Sequence, residues 1–345
     1  MKTATFDYHL LKKFIAQRPA SPRDSSKLLV YSKSTLRVEH RKFSDLPNLL
    51  QPGDVLVLNE SKVIPARLET REGREVFLAK EIKSPPTPLY KRGEKNVWEC
   101  LVRGGKYFQI GSTFEIAESF TGDVLEILEN GERVIRFHSK NFTKDLEKFG
   151  ATPLPPYIHS PAKKVPQYQT IYAKKSGSVA APTAGLHFTP RIFKKLKRRG
   201  VQVEKITLHV GLGTFAPVKA EKIEDHNMHS EFFTLSEKVA KRLNSYKKED
   251  RRIIAVGSTS CRVLESCADA HGKLHAKTGE TDIFIFPGCK FKFIDAMLTN
   301  FHLPKSTLIM LVAAFVGREK ILELYEIAKK ENYRFFSFGD TMLLL

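Results

Sequence analysis

SVAAPTAGLHFTPRIFKKLKRRGVQVEKITLHV, residues 178–210, passes from loop to helix to strand, and that order decides the fold class. Its first part, Ser178 to Thr189, sets Pro182, Thr183, Gly185 and His187 among small apolar residues and suits neither a helix nor a strand. Small residues let backbone approach a ligand, Pro stiffens the path, and a His on such a loop is a candidate for chemistry. The plainer alternative is a packed turn with a hydrogen-bonded core His. Thr189 then predicts an N-cap with Pro190 at the first helical position, and Ile192, Phe193 and Leu196 make an apolar face that ends at Gly200. VEKITLHV (203–210) reads as a strand.

Downstream the alternation repeats. Ser236 caps a helix through Val239, Ala240 and Leu243; RIIAVG (252–257) is a buried strand, CRVLES a short helix and TDIFIF (281–286) a strand. STLIMLVAAF and EKILELYEIAKK are helices, and YRFFSF is a last strand. Such alternation predicts a mainly parallel sheet covered by helices, with ligands at the carboxyl ends of strands. Upstream, KLLVYSK (27–33) and DVLVLNESKVI (54–64) read as strands flanking a short helix near Leu46, Leu49 and Leu50.

Residues 67–150 have a different texture. REVFLAKEI, VWECLV, STFEIAE, DVLEILE and RVIRFHS are short half-apolar runs with almost no helical pattern between them. Gly104-Gly105, Thr121-Gly122-Asp123 and Asn130-Gly131-Glu132 read as turns, the last as a hairpin. A small all-β barrel or sandwich is expected, with SPPTPLYKRG (Ser84 to Gly93) as an exposed loop. The boundaries are therefore 1–66 and 151–345 for a large α/β domain, interrupted at 67–150 by a small all-β domain.

The 345 residues carry 57 Lys and Arg against 38 Asp and Glu, a formal charge of +19. An excess of basic groups over an ordinary acidic complement points to a polyanion, with nucleic acid the commonest. Arg191, Lys194, Lys195, Lys197, Arg198 and Arg199 crowd one helix face, which makes Lys195, Lys197 and Arg198 the first candidates for RNA contact. MKTATFDYHL has no apolar core of a signal peptide, and Leu308 to Val316 is too short to span a bilayer. Cys100, Cys261, Cys267 and Cys289 show neither metal nor disulfide spacing, so a reducing cytoplasm without structural zinc is expected.

Five polar clusters follow predicted strands. His209-Val210-Gly211-Leu212-Gly213-Thr214-Phe215 is a close-approach loop, but Ala216 and Pro217 break a dinucleotide fingerprint. Asp225-His226-Asn227-Met228-His229-Ser230-Glu231 is the densest titratable cluster; it is not HExxH, which favours acid–base work over a metal. Ser258-Thr259-Ser260-Cys261-Arg262 opens a helix, where a substrate anion can dock. Glu280 and Asp282 lie at a strand, and His302 and Lys305 precede an apolar helix; no Walker glycines accompany Lys305-Ser306-Thr307. Together these clusters predict one polar pocket.

FDYHL, FIAQRP, RDSSKLLV, PGDVLVLNESKVIPARL, TPLPPYI, YQTIYAKKSGSVAAPTAGLHFT, TLHVGLGTFAPV, DHNMHSE, GSTSCRVLES, GETDIFIFPG, LTNFHLPKSTLIMLV and YRFFSFGD occur in that order. Over essentially its full length the chain resembles the S-adenosylmethionine:tRNA ribosyltransferase-isomerase family of queuosine biosynthesis. Leu11, Gly104 and Ser258 depart from residues usual in that family, and the Ser84–Gly93 stretch looks inserted. The resemblance implies a large α/β domain of barrel-like topology interrupted by a small β-barrel. It also implies transfer and isomerisation of the ribosyl part of S-adenosylmethionine onto 7-aminomethyl-7-deazaguanine at the tRNA wobble position. Epoxyqueuosine-tRNA forms, and adenine and methionine leave. S-adenosylmethionine is then a consumed substrate, with no further cofactor and no metal, and the protein is expected to act as a monomer.

For that chemistry His187, His209, His226 and His229 are the acid–base candidates, with Glu231 as partner. Thr183, Gly185, Phe188, Gly211, Gly213, Thr214, Phe215, Thr259, Arg262, Asp282, His302 and Lys305 are the substrate-binding candidates, with Asp282, Phe188 and Phe215 suited to a sulfonium. Two rival readings are a conventional tRNA methyltransferase, disfavoured by the missing GxGxxG, and a non-catalytic RNA-binding protein, which leaves the His-rich motifs unexplained.

Overall fold

The structure, a computed structural model, describes residues 1–82, 96–159, 168–211, 213 and 217–345. The Ser84–Gly93 loop, Thr214 and Phe215 lie outside the described residues. In chain order the elements are β1 (Lys27–Tyr31), β2 (Val38–Lys42), α1 (Leu46–Leu49), β3 (Val55–Asn59) and β4 (Ser61–Val63). Then come β5 (Arg67–Glu69), β6 (Glu75–Glu81), β7 (Val97–Val102), β8 (Thr113–Ala117), β9 (Phe120–Ile127), β10 (Arg133–His138) and α2 (Phe142–Phe149). The remainder is β11 (Lys175–Ser178), α3 (Pro190–Arg198), β12 (Gln202–Leu208), β13 (Glu231–Leu235), α4 (Glu237–Lys248), β14 (Ile253–Val256) and α5 (Gly257–Cys267). It closes with β15 (Lys277–Thr281), β16 (Ala296–Asn300), α6 (Thr307–Val316), α7 (Arg318–Lys330) and β17 (Thr341–Leu344).

A nine-stranded sheet runs β15-β13-β12-β3-β14-β16-β17-β1-β2. Alternate residues of its strands feed two cores, as the two-residue period of a strand requires. Val55, Val57, Ile253, Ala255 and Met297 face one core with the apolar sides of α4, α5, α6 and α7. Leu56, Leu58, Ile254, Val256 and Leu298 face the other, which Ile192 and Leu196 of α3 cover. β3, so apolar that all five residues are buried, is flanked in parallel by β12 and β14. The expectation of a mainly parallel sheet needs correction: β14–β16 and β1–β17 are parallel, but β12–β13, β13–β15, β16–β17 and β1–β2 are antiparallel. The sheet is a row with β15 and β2 at its ends, and no pairing joins those two among the described residues.

The second sheet, β5-β6-β7-β10-β9-β8, is antiparallel throughout and holds its own core, with Phe77, Trp98, Phe120 and Phe137 inside. Its ends approach closely enough for Arg71 N–H to donate to the Glu115 carbonyl at 2.9 Å. The Asn130-Gly131 hairpin joins β9 to β10, with Gly131 at φ 86° and Asn130 Oδ1 accepting from Glu132 N–H at 3.0 Å. Thr121-Gly122-Asp123 is not a turn. It lies inside β9, where a Cβ on Gly122 would stand 2.5 Å from the Phe114 ring, so glycine serves packing there. α2, unexpected in this region, is capped by Asn141 and buries Leu146.

Three other expectations change. Residues 54–64 are two strands, because β4 leaves the main sheet to pair with β11. TDIFIF contributes only Thr281 to a strand; Ile283, Phe284 and Phe286 are half-buried and irregular. YRFFSF is not a strand either: Phe336 has φ 69°, a turn that sends Phe335 into the core, and the final strand is β17. Among the described residues no helix is long and apolar enough to cross a membrane.

Candidate active site

β14 and β16 deliver the site. β14 runs directly into α5 through Gly257, whose φ of 83° favours glycine. β16 ends on Thr299 and Asn300, and Phe301-His302 follow. The loop at 181–184 lies across from both, so Thr183, Thr259, Asn300, His302, Tyr157 and Ser337 border one cleft of about 630 Å³, open to solvent. The Asn300 amide is held on three sides: its Nδ2 donates to the Phe336 carbonyl at 3.1 Å and lies 3.5 Å from His187 Nε2, and its Oδ1 accepts from Thr183 Oγ1 at 3.5 Å. His302 is pinned through its backbone, the carbonyl accepting from the Tyr8 hydroxyl and the N–H donating to the Tyr325 hydroxyl at 2.8 Å. Its Nε2 meets Thr299 Oγ1 at 2.9 Å, and burial pushes the imidazole down to about 3.

His187 sits behind this cleft and does not border it. It ends a 3-10 turn (Thr183–His187), stacks on Phe43 at 5.2 Å and meets Ser26 Oγ through Nδ1 at 2.8 Å. Burial above all pushes its imidazole down to about 3. A neutral ring with both nitrogens engaged orients its neighbours. Gly185 and Phe188 face the same interior: a Cβ on Gly185 would stand 1.9 Å from the Tyr172 hydroxyl, and Phe188 meets Phe43 edge-on at 5.1 Å.

A second cleft of about 450 Å³ shares Leu308 with the first and brings together Gly213, His226, His229, Glu231 and Arg262. Glu231 and Arg262 form a buried ion pair, and the guanidinium also donates to the Ile283 carbonyl at 3.3 Å and the Thr281 carbonyl at 3.4 Å. Glu231 Oε1 accepts from Gly211 N–H at 2.8 Å. Glu231 thus binds an arginine and a backbone amide. His226 meets Phe284 edge-on at 5.5 Å, and burial, then the nearby His229, lower its pKa. The His229 ring lies against Gly213, where a Cβ would stand 2.2 Å from it.

The other sequence candidates lie elsewhere. His209 stacks on Phe232 at 5.9 Å and covers Gly177, outside both clefts. Asp282 is exposed, and Lys305 reaches Asp7 at 2.8 Å. Lys195, Lys197 and Arg198 are exposed on α3, whose start is tied down by Asp24: Thr189 Oγ1 donates to it at 2.8 Å and the Arg191 guanidinium at 2.7 and 3.0 Å. Asn300, Tyr157 and Ser337 were missed by sequence reasoning. Asn300 had a signal, since a polar residue closes the apolar strand run before His302; Tyr157 and Ser337 had none. Among the described residues no group of three or more His, Cys, Asp or Glu is gathered as a metal would require.

The family described as "Queuosine biosynthesis protein" matches residues 3–344. The chain is 49% identical over 348 residues to S-adenosylmethionine:tRNA ribosyltransferase-isomerase of Desulfitobacterium hafniense and 47% identical over 350 residues to that of Acetivibrio thermocellus, covering all of both chains in each case. A crystal structure of S-adenosylmethionine tRNA ribosyltransferase from Thermotoga maritima aligns over 99% of this chain and 100% of that one, with 37% identity and a TM-score of 0.56. With a match across nearly every residue, this chain belongs to the queuosine biosynthesis family of S-adenosylmethionine:tRNA ribosyltransferase-isomerases.

Proposed function

We propose that the protein transfers and isomerises the ribosyl part of S-adenosylmethionine onto 7-aminomethyl-7-deazaguanine at the tRNA wobble position, releasing adenine and methionine. The observation that carries this reading is the pair of adjoining clefts, which gather motifs from residues 157–337 of a chain that matches its relatives end to end. S-adenosylmethionine is consumed as a substrate, and no further cofactor enters.

The reaction needs a base, an acid and an exit for adenine. A sulfonium acidifies the ribose carbon beside it, and an imidazole held neutral accepts that proton. His226, whose pKa burial and His229 lower, meets this requirement in the second cleft. Adenine departs more readily once a ring nitrogen is protonated, a task for the second imidazole, His229. The buried Glu231–Arg262 pair sets the wall against which both stand.

The basic excess supports tRNA as the partner. Residues 67–150 hold 15 Lys and Arg against 14 Asp and Glu, so nearly all of the +19 belongs to the remaining chain. We read 67–150 as an inserted, mainly β module, with the helix α2, that positions substrate, and α3, which contains no acidic residue, as a tRNA-contacting element. The deciding experiment incubates protein, S-adenosylmethionine and precursor-modified tRNA and identifies the small products. Adenine plus methionine is expected. S-adenosylhomocysteine would mean a methyltransferase, and no turnover would remove the catalytic reading.

A further inference from the structure

Among the described residues no charged side chain borders the first cleft; hydroxyls, one amide, one imidazole and apolar groups line it. Its charge comes from the backbone. α5 starts there and no side chain caps it, so its first-turn N–H groups lack intrahelical acceptors and carry the positive end of the helix dipole. α6 starts at the same cleft behind Ser306, adding a second positive end.

Two hydroxyls in the first turn of α5 are buried without a hydrogen-bond partner, Thr259 Oγ1 and Ser260 Oγ. Thr259 is only 8% exposed and borders the cleft. Its Oγ1 lies 3.6 Å from where a Cβ on Gly257 would stand, and the Ala184 methyl lies 3.5 Å from that point. The hydroxyl therefore lies in the first turn of the helix, within ordinary van der Waals reach of the Gly257 position. A buried hydroxyl left unsatisfied costs stability, and an acceptor arriving with a ligand removes that cost.

We propose that this end of α5 is an oxyanion seat, and that it takes the α-carboxylate of the methionine part of S-adenosylmethionine. The inference rests on the function proposed above. A carboxylate accepts from the first-turn N–H groups and from Thr259 Oγ1, which together offer donors without a competing cation. The same dipoles repel a sulfonium, so the adenosyl end extends past Leu308, which borders both clefts, toward His226 and His229. A tRNA phosphate has similar acceptor chemistry, so the test separates the two sources.

Equilibrium dialysis of the intact protein with tRNA lacking the aminomethyl group blocks turnover and reads binding alone. The wild-type protein should bind S-adenosylmethionine about 10- to 100-fold more tightly than its decarboxylated analogue, the worth of charge-assisted hydrogen bonds. Thr259→Val should weaken S-adenosylmethionine about 5- to 20-fold while leaving the analogue within about twofold, and Thr259→Ser should restore most of the loss. Equal wild-type affinity for the two compounds overturns the seat, and that comparison needs no variant. Weakened tRNA binding with unchanged S-adenosylmethionine binding in Thr259→Val overturns the carboxylate in favour of a phosphate. Failure of S-adenosylmethionine to bind the wild-type protein overturns the proposed function itself.

Discussion

His226 and His229 occupy one short loop but differ in surroundings: His226 is half-buried against Phe284, whereas His229 is exposed and rests on Gly213. Replacing either by Ala should lower tRNA-dependent adenine release by about 10²- to 10⁴-fold, the usual share of general acid–base catalysis. Near-normal rates in both variants would remove them from proton transfer. Gly213→Ala should reproduce part of the His229→Ala loss by displacing the ring, with an unchanged melting temperature. His187 and His302 titrate differently. Both have folded pKa values pushed down to about 3 from an ordinary 6.5, so the unfolded chain binds the protons first. Their contribution is whole above about pH 6.5 and is lost as pH falls toward 3, at up to about 1.4 kcal/mol per pH unit for each. Melting temperature should therefore drop between pH 7 and 4.5, and less steeply in His187→Asn; parallel pH curves for the two proteins would refute the assignment.

The elements show where sequence reading reaches and where it stops. Thr189 and Ser236 are legible as caps because a cap is local: each side chain accepts from an N–H three residues on. Strands buried on both faces are legible as apolar runs, as β3 and β14 are. Residues 282–286 mislead because Ile283, Phe284 and Ile285 line a cleft and join no ladder. The partners of Asn300 stay hidden for another reason: His187 and Phe336 lie 113 and 36 residues away, and no local spacing encodes them. The 3-10 turn at Thr183–His187 carries an element-scale prediction. Gly185 packs under the Tyr172 hydroxyl, and Gly185→Ala should destabilise the protein by about 1–3 kcal/mol in denaturant titration through overpacking. An unchanged midpoint would show that Tyr172 moves aside freely.

At the scale of the molecule, charge and topology are unevenly spread. The stretch that holds the second sheet is near neutral, so the net positive charge lies on the α/β part, where α3 carries no acidic residue of its own. Reversing Lys195, Lys197 and Arg198 to Glu together should weaken tRNA binding uniformly across sequences and reduce the salt slope by up to about three. An unaltered slope in filter binding would place the contact on another face. The motif order revealed the family and the +19 charge suggested its partner, but the pairing order of the main sheet had no trace in the sequence, because strand neighbours are chosen by long-range packing. One such pairing matters during synthesis. β17 is the last described strand in chain order, yet it lies between β16 and β1 and binds both in full register. The β1–β2 hairpin, which precedes every other strand of the sheet in the chain, therefore lacks its ladder partner until Thr341–Leu344 emerges. Nascent chains arrested before Thr341 should lose that hairpin to brief proteolysis, while released chains keep it. The strand that secures the first hairpin of this sheet is thus the last of its strands to be made.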